Sequence, residues 1–196
     1  MNSSESPVRT PLWSILLEAA QRRPDAEALV DENCRLNYAQ LAEAVNLTAR
    51  AMLSLGLKPG DHIGLLRGNS VSWAVHWYAA ASLGLVTVPL NTRFRVEELS
   101  YGLAHEDIRT LFCIDRFLDK IDFIGMLREI EPAIDSMLPG DALPLLNQII
   151  VDGAQVPAGA LSHQAFLHAG KNITEAQLAE ARAAVKVDDT LLIQLT

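Results

Sequence analysis

The stretch HIGLLRGNSVSWAVHWYAAASLGLVTVPL, residues 62–90, contains the pattern that decides the fold. Its first five residues form a short apolar run, which predicts a buried strand, and Asn69 and Ser70 are typical residues for capping a helix. The pattern then predicts a helix from Ser72 to about Leu83, followed by a second apolar strand at 85–90. Strands that alternate with helices in this way are typical of a parallel sheet.

The same alternation extends to both sides of this stretch. Asn37, with Gln40 at the capping-box position, predicts the start of the preceding helix. Apolar runs at 110–115 and 147–151 predict further strands, with an amphipathic helix at 120–134 between them and two more helices after them. A last short strand is predicted at 191–195. The sequence therefore predicts an α/β fold with a largely parallel sheet covered by helices on both faces.

The beginning of the chain has a different character. Residues 1–10, MNSSESPVRT, are polar and predict a flexible leader without the apolar core of a signal peptide. Thr10 is the predicted N-cap of the first helix, with Pro11 at the first helical position. Two short strands are expected next, joined by a turn at 31–33.

Composition and charge exclude several classes of partner. The chain has 196 residues, of which 49% are hydrophobic and 20% are charged, as in an ordinary globular protein. Its net charge of -8 argues against nucleic acid, because phosphate backbones are bound by clustered Lys and Arg. The most apolar stretch, residues 74–90, is short for a membrane span and contains polar residues and a proline. We therefore expect no transmembrane segment, and a cytoplasmic location.

No pattern of residues in this chain predicts a catalytic or metal-binding site. The histidines are interpreted as structural, since none stands at metal-ligand spacing and no GxSxG motif supplies a nucleophile. The four glycines between 56 and 68 lack the spacing of a phosphate loop, so they predict turns and strand positions. The five histidines are His62, His76, His105, His163 and His168.

Other chemically active residues are interpreted in the same way. Cys34 and Cys113 are predicted to be buried free thiols. The apolar stripe of Trp73, Trp77 and Leu83 predicts core packing rather than the wall of a substrate site.

An ordered series of motifs resembles one enzyme family over almost the whole chain from residue 12 onward. The similarity is to the N-terminal region of AMP-forming acyl-CoA synthetases, which belong to the adenylate-forming enzymes. It is weakest at residues 116–160. The motifs are LNYAQL at 36–41, LGLKPGD at 55–61, GNSVSW at 68–73, GLVTVPLN at 84–91 and EELSYGL at 97–103.

The resemblance implies both a domain assignment and a truncation. Residues 11–196 correspond to the N-terminal portion of the large AMP-binding domain. The final DDTLLIQLT is similar to the strand that enters the family's phosphate loop, and Thr196 matches the first Thr of that loop. The complete enzyme is then expected to use ATP, Mg²⁺ and CoA to convert a fatty or aryl acid to its CoA ester. The chain by itself is expected to be inactive and to bind none of these tightly.

The resemblance also suggests a contact with CoA. In some family members the region of LFCIDRFLDK, residues 111–120, lies near the nucleotide end of CoA. Arg116 and Lys120 are therefore candidates for binding its phosphates, and a solvated surface role is the alternative.

The sequence leaves two other functions open and predicts one physical property. The chain could belong to an adenylation module that loads a carrier-protein thiol, or it could be a free-standing, non-catalytic interaction domain. We expect it to self-associate, because a strand at 191–195 that is internal to a larger sheet would leave an open edge.

Overall fold

The computed structural model describes residues 10–195. Two short strands and two helices come first: α1 Leu12–Arg22, β1 Glu27–Val30, β2 Arg35–Asn37 and α2 Tyr38–Ser54. The central part contains β3 His62–Leu66, α3 Val71–Ala81, β4 Val86–Pro89, α4 Val96–His105 and β5 Thr110–Ile114. It continues with β6 Arg116–Phe117, β7 Ile121–Asp122, α5 Phe123–Ile130 and a 3₁₀ turn Pro132–Asp135. The last elements are β8 Gln148–Asp152, β9 Leu161–Ser162, α6 His163–Ala169, a 3₁₀ turn Gly170–Asn172 and α7 Glu175–Ala183.

Five of the strands form one parallel sheet in the order β4-β3-β5-β8-β9. In β3, Ile63 lies opposite Thr87 of β4 on one side and Thr110 of β5 on the other. The other four strands form two antiparallel hairpins, β1 with β2 and β6 with β7.

Hydrophobic clusters cover both faces of the parallel sheet. Ile63 and Leu65 of β3 belong to a cluster with residues of α1, α2, α3, α6 and α7. Leu66 belongs to a second cluster with α4 and α5. Gly64 faces this second cluster, where an added Cβ would lie 2.9 Å from Cδ1 of Leu111. The predicted α/β fold, with a parallel sheet between two layers of helices, is confirmed.

The predicted caps at two helices are also confirmed. The Asn37 side chain accepts a 2.8 Å hydrogen bond from the N–H of Gln40, and the Gln40 side chain accepts one of 3.0 Å from the N–H of Asn37. The Ser70 hydroxyl accepts a hydrogen bond from the N–H of Trp73 at 3.1 Å. These caps satisfy backbone donors that the first turn of a helix leaves free.

Two helix predictions were wrong in detail. The first helix begins at Leu12 with Pro11 as its N-cap, so Thr10 does not cap it. The helix predicted for residues 120–134 is interrupted at Glu131, because Pro132 cannot donate the hydrogen bond that would continue it. The prediction of a flexible leader falls almost entirely on residues outside the described part of the chain.

The strand predicted at 191–195 was also wrong. Only a single bridge forms there, between Leu192 and Thr87 of β4, in the parallel direction. It consists of two hydrogen bonds, from the N–H of Thr87 to the carbonyl of Leu191 and from the N–H of Ile193 to the carbonyl of Thr87. The segment therefore lies beside the β4 edge of the sheet but is too briefly paired to be a strand.

The two cysteines have different surroundings. Cys113 of β5 is completely buried, as predicted, and burial raises the pKa of its thiol to about 12. Cys34 is exposed, so the prediction of a second buried thiol was wrong. It lies in the turn between β1 and β2, where its N–H donates to Asp31 and the side chain has no core to enter.

Candidate functional site

The carboxyl ends of the parallel strands meet at one edge of the sheet, and a cavity of about 690 Å³ opens there. This edge is where α/β proteins with parallel sheets commonly bind ligands. The polar residues around the cavity come from the β1–β2 turn, the loop after β3, the helix α3, the end of β8 and the start of α6. They include Asp31, Arg67, Ser72, His76, Asp152 and His163.

Arg67 is the buried charge of this cavity. It follows β3 directly, and its side chain is only 3% exposed. One terminal nitrogen donates to Oδ2 of Asp152 at 3.4 Å, and the other donates to the hydroxyl of Ser72. Burial lowers the pKa of Arg67, although the charge of Asp152 opposes this shift. The guanidinium of Arg67 is thus held at the carboxyl edge of the sheet by Ser72 of α3 and Asp152 of β8.

His76 of α3 lies deeper in the same cavity. It is 1% exposed, and burial lowers its pKa well below the ordinary value, with the nearby Arg67 charge acting in the same direction. The neutral ring donates through Nδ1 to the main-chain carbonyl of Ser72 at 2.7 Å, which leaves Nε2 as an acceptor. Nε2 has no hydrogen-bond partner within residues 10–195.

His163, at the start of α6, is the last of the polar side chains that line this cavity. Its ring centre lies 5.3 Å from that of His76, and burial lowers its pKa as well. Both imidazoles are therefore neutral near pH 7, and among residues 10–195 neither is bonded to a hydroxyl or thiol nucleophile. The cavity offers hydrogen-bonding groups on apolar walls. Within the described residues, no group of three or more His, Cys, Asp or Glu could hold a metal ion.

The other histidines have structural surroundings in the described part of the chain. Nδ1 of His62 lies 2.7 Å from the carbonyl oxygen of Glu106. The His105 ring stacks on Tyr101 with 4.7 Å between the ring centres. His168 lies on the exposed side of the short helix α6.

The apolar stripe singled out in the sequence is part of the core, as predicted. Leu83 is buried, and Trp73 and Trp77 are partly buried against the same cluster, with their ring centres 5.9 Å apart. None of the three residues lines the cavity at the carboxyl edge.

The two candidate CoA ligands lie on the β6–β7 hairpin, which follows β5 at the carboxyl edge. Both side chains are exposed, and neither lines the cavity. Arg116 faces the carboxylate of Asp122 across the hairpin at 3.9 Å. Lys120 forms no ion pair with any described residue. The structure brings the two cations onto one small hairpin, but one of them already has an acidic neighbour.

Phe117 connects this hairpin to the cavity. Its ring lines the cavity wall beside Gly68, where an added Cβ would lie 2.7 Å from Cε2 of the ring. Gly68 therefore gives the hairpin room to pack directly against the loop after β3. The remaining candidate, Thr196, lies outside the described residues.

Sequence reasoning missed the Arg67–Asp152 contact. Each residue comes at or directly after the end of a buried strand, so both were bound to reach the carboxyl edge if the sheet was parallel. The missing information was the strand order, which places β5 between β3 and β8.

Comparison with known proteins identifies the family. The model of the AMP-binding enzyme family matches residues 16–196, and the chain belongs to this family. Similar curated proteins include the mouse medium-chain acyl-CoA ligase ACSF2, mitochondrial, which is 32% identical over 195 residues. That alignment covers 96% of this chain and 32% of the mouse protein. The Bacillus subtilis protein named putative acyl-CoA synthetase YngI is 26% identical, with 96% and 35% covered.

Solved structures show the same fold. The anthranilate CoA ligase AuaEII aligns with a TM-score of 0.71 and 24% identity, over 86% of this chain and 30% of that structure. A Mycobacterium tuberculosis fatty acyl CoA synthetase aligns with a TM-score of 0.62 and 24% identity, over 94% and 32%. This chain spans about a third of the length of the curated relatives it matches. No helix among residues 10–195 is long and apolar enough to cross a membrane.

Proposed function

We propose that this chain is part of an AMP-forming acid–thiol ligase, which activates a carboxylic acid with ATP and transfers it to CoA. The observation that carries the proposal is the match to the AMP-binding enzyme family from residue 16 onward, together with relatives that are named acyl-CoA ligases. Because the chain spans about a third of those relatives, the activity is assigned to a complete protein of which this chain is the N-terminal part.

The proposed reaction has two steps. A carboxylate oxygen of the acid attacks the α-phosphorus of ATP, and pyrophosphate leaves to give an acyl-adenylate. The sulfur of CoA then attacks the acyl carbonyl, and AMP leaves with the bonding electrons. Activation is required because a carboxylate is a poor electrophile, whereas AMP is a good leaving group. Mg²⁺ would neutralise charge on the ATP phosphates.

The acid is proposed to be a fatty or aryl acid. One relative is named a medium-chain acyl-CoA ligase, and one similar structure is an anthranilate CoA ligase, so the comparisons include both classes. The predicted cytoplasmic location stays a prediction, since the mouse relative is named as mitochondrial.

We place the start of the ATP phosphate loop at Thr196. Supporting this proposal, the segment before it runs parallel to β4, so it approaches the same sheet edge as the carboxyl ends of the other strands. Parallel α/β sheets commonly bind phosphates at that edge through backbone N–H groups.

We further propose that Arg116 and Lys120 contact the phosphates of CoA. In the complete enzyme, replacing both with Ala should raise the KM for CoA by about tenfold, since each exposed ionic contact contributes about 0.2–1 kcal/mol and about 1.4 kcal/mol is a tenfold change. The acid-dependent exchange of pyrophosphate into ATP should not change. Replacing the exposed Arg22 and Lys171 with Ala is the matched control, and an unchanged KM for CoA in the double variant would contradict the assignment.

The function itself is tested by carboxylate-dependent exchange of labelled pyrophosphate into ATP, with medium-chain and aryl acids as substrates. We expect exchange by the protein translated from the whole reading frame and none by residues 1–196. Thioester formation with CoA, compared with a phosphopantetheinylated carrier protein, then identifies the acceptor. Absence of exchange by the whole protein would contradict an acid-activating enzyme and favour an interaction domain.

A further inference from the structure

A groove between α1, α2 and α7 contains two arginines and, among residues 10–195, one carboxylate. The groove has a volume of about 480 Å³ and lies apart from the cavity at the carboxyl edge, with which it shares no residue. Its apolar lining includes Trp13, Leu17 and Leu178. Its polar lining consists of Asn46, Arg50, Glu175 and Arg182.

Arg182 is held in the groove by neutral partners. The residue is 9% exposed, and one terminal nitrogen donates to Oδ1 of Asn46 at 2.8 Å. The guanidinium carbon lies 5.2 Å from the centre of the Trp13 ring, a cation–π contact. Arg182 forms no ion pair with any residue between 10 and 195. Its position near the carboxyl end of α7 is favourable for a cation but supplies only partial charge.

Arg50 faces the groove from α2 and has one acidic partner. A terminal nitrogen lies 3.1 Å from Oε1 of Glu175, and the Arg50 side chain is 22% exposed. The Glu175 side chain is 89% exposed, so it can rotate into solvent at little cost. Among the described residues that line this groove, two guanidinium groups are thus balanced by one weakly held carboxylate.

The electrostatics of the groove agree with this imbalance. Burial and, as a smaller cause, the charge of Arg50 together lower the pKa of Arg182 to about 10. The Nε atoms of Arg50 and Arg182 and the indole nitrogen of Trp13 are buried, and none of the three has a hydrogen-bond partner in the described part of the chain. The groove therefore has unused donors as well as uncompensated positive charge.

We propose that this groove binds a phosphate group between Arg50 and Arg182. A phosphate carries about two negative charges and several acceptor oxygens, which suits two guanidinium groups contributed by different helices. The carboxylate of Glu175 carries one negative charge, so it neutralises only one of the two guanidinium groups. Bound phosphate would displace Glu175 into solvent. The apolar residues beside the arginines would accommodate the organic part of a phosphomonoester.

This proposal does not depend on the acid-activating function and is tested separately. The probe is inorganic phosphate, titrated at about pH 7 and constant ionic strength into the 196-residue chain. Binding is followed by the NMR signals of the Arg Nε–H groups and of the Trp13 indole N–H. Phenyl phosphate, acetate and chloride are titrated in parallel. We expect saturable shifts with the two phosphates, whereas acetate and chloride should give none.

Variants separate a binding role from a structural one. Arg50→Gln and Arg182→Gln should each weaken phosphate binding by about tenfold, because each removes one charge-assisted partner. Glu175→Gln should strengthen binding several-fold, because it removes the competing carboxylate. If the two arginines had only a structural role, Glu175→Gln would not strengthen phosphate binding. Arg22→Gln on α1, whose side chain is 80% exposed, is the control and should change nothing.

The outcomes are distinct. Tighter binding of phenyl phosphate than of inorganic phosphate would identify an organic phosphate as the ligand, and equal binding would identify free phosphate. Shifts that follow ionic strength alone, or that acetate reproduces, would overturn the proposal. Weaker or unchanged binding in Glu175→Gln would overturn it too, and this variant keeps the test valid if Arg182→Gln does not fold.

Discussion

The carboxylate of Asp31 accepts a 2.8 Å hydrogen bond from the backbone N–H of Val71, 40 residues further along the chain. Asp31 lies in the turn between β1 and β2, and Val71 is the first residue of α3. The other carboxylate oxygen accepts from the N–H groups of Asn33 and Cys34. One side chain therefore holds the hairpin turn together and connects it to the helix that borders the carboxyl-edge cavity.

Replacing Asp31 with Asn should destabilise the fold at neutral pH. The hydrogen bond from Val71 is the largest cause of a lowered pKa for Asp31, followed by the bond from Asn33. A carboxyl group with a lowered folded-state pKa contributes stability above its unfolded value, and that contribution is lost as pH falls through the folded value. We expect Asp31→Asn to lower the urea midpoint at neutral pH.

The pH dependence is the stricter test of this contact. The difference between wild type and Asp31→Asn should shrink once the pH is below the ordinary aspartate value of 3.8. Glu32→Gln, at the neighbouring exposed position, is the control and should leave the midpoint unchanged. A difference that persists at the same size in acid would mean that the carboxylate charge is not the stabilising feature.

The two thiols should react very differently. Cys34 is exposed, whereas Cys113 is fully buried with its pKa raised to about 12 mainly by burial. Because the thiolate is the reactive form, the exposed thiol of the folded chain should react rapidly with one equivalent of a chromogenic thiol reagent at about pH 8. The second equivalent should appear only in denaturant. Cys34→Ser should abolish the fast phase, and rapid reaction of two thiols in the native protein would contradict the burial of Cys113.

Local signals in the sequence were sufficient where the structure is decided locally. The strand predicted at 62–66 has the same bounds in the structure, and the caps at Asn37 and Ser70 form as expected. In each case the deciding interaction involves residues only a few positions apart, so neighbouring residue types determine it.

Features that depend on distant contacts were not predictable in this way. The β6–β7 hairpin turns through Leu118 and Asp119, both with positive φ, and Leu is a residue type that does not indicate such a turn. Asp31 was identified only as a turn residue, because its bond to Val71 depends on how the hairpin packs on the sheet. The Arg50–Arg182 groove joins helices that are far apart in the sequence and could not be inferred from periodicity.

Replacing Glu131 with Gln should destabilise the loop that leads from α5 towards β8. The Glu131 residue is 3% exposed, and its two carboxylate oxygens accept N–H groups from Ala133, Ala142 and Leu143. A glutamine amide places an NH₂ group against at least one of these donors, and an unsatisfied buried donor costs about 1–3 kcal/mol. Urea unfolding at neutral pH measures this loss. Glu129→Gln at an exposed position should cost nothing, and equal stability of the two variants would contradict the proposed role.

The packing of Phe117 on Gly68 should appear as an energetic coupling. Gly68→Ala places a methyl group 2.7 Å from the Phe117 ring, so the ring or the hairpin must move, at a cost of about 1–2 kcal/mol. In a Phe117→Leu background the smaller side chain should reduce that cost by about half or more. A double-mutant cycle from urea unfolding measures the coupling. Additive effects of the two substitutions would show that the contact is not tight in solution.

The edge formed by Leu192 should make the 196-residue chain self-associate. The carbonyl of Leu191 and the N–H of Ile193 both bond to Thr87, so the N–H and carbonyl of Leu192 point away from β4. Open backbone groups beside partly exposed apolar side chains favour pairing with a second chain.

Charge opposes this association but should not prevent it. Repulsion from the net charge of -8 is screened beyond about 8 Å at physiological salt, whereas contact burial contributes about 25 cal/mol per Å² of apolar surface. Sedimentation at micromolar concentration should therefore show a dimer that dissociates on dilution. Leu192→Pro removes the outward N–H while leaving both bonds to Thr87, so it should shift the chain to monomer. Wild-type protein that sediments as a monomer at all concentrations would show that this edge is closed in solution.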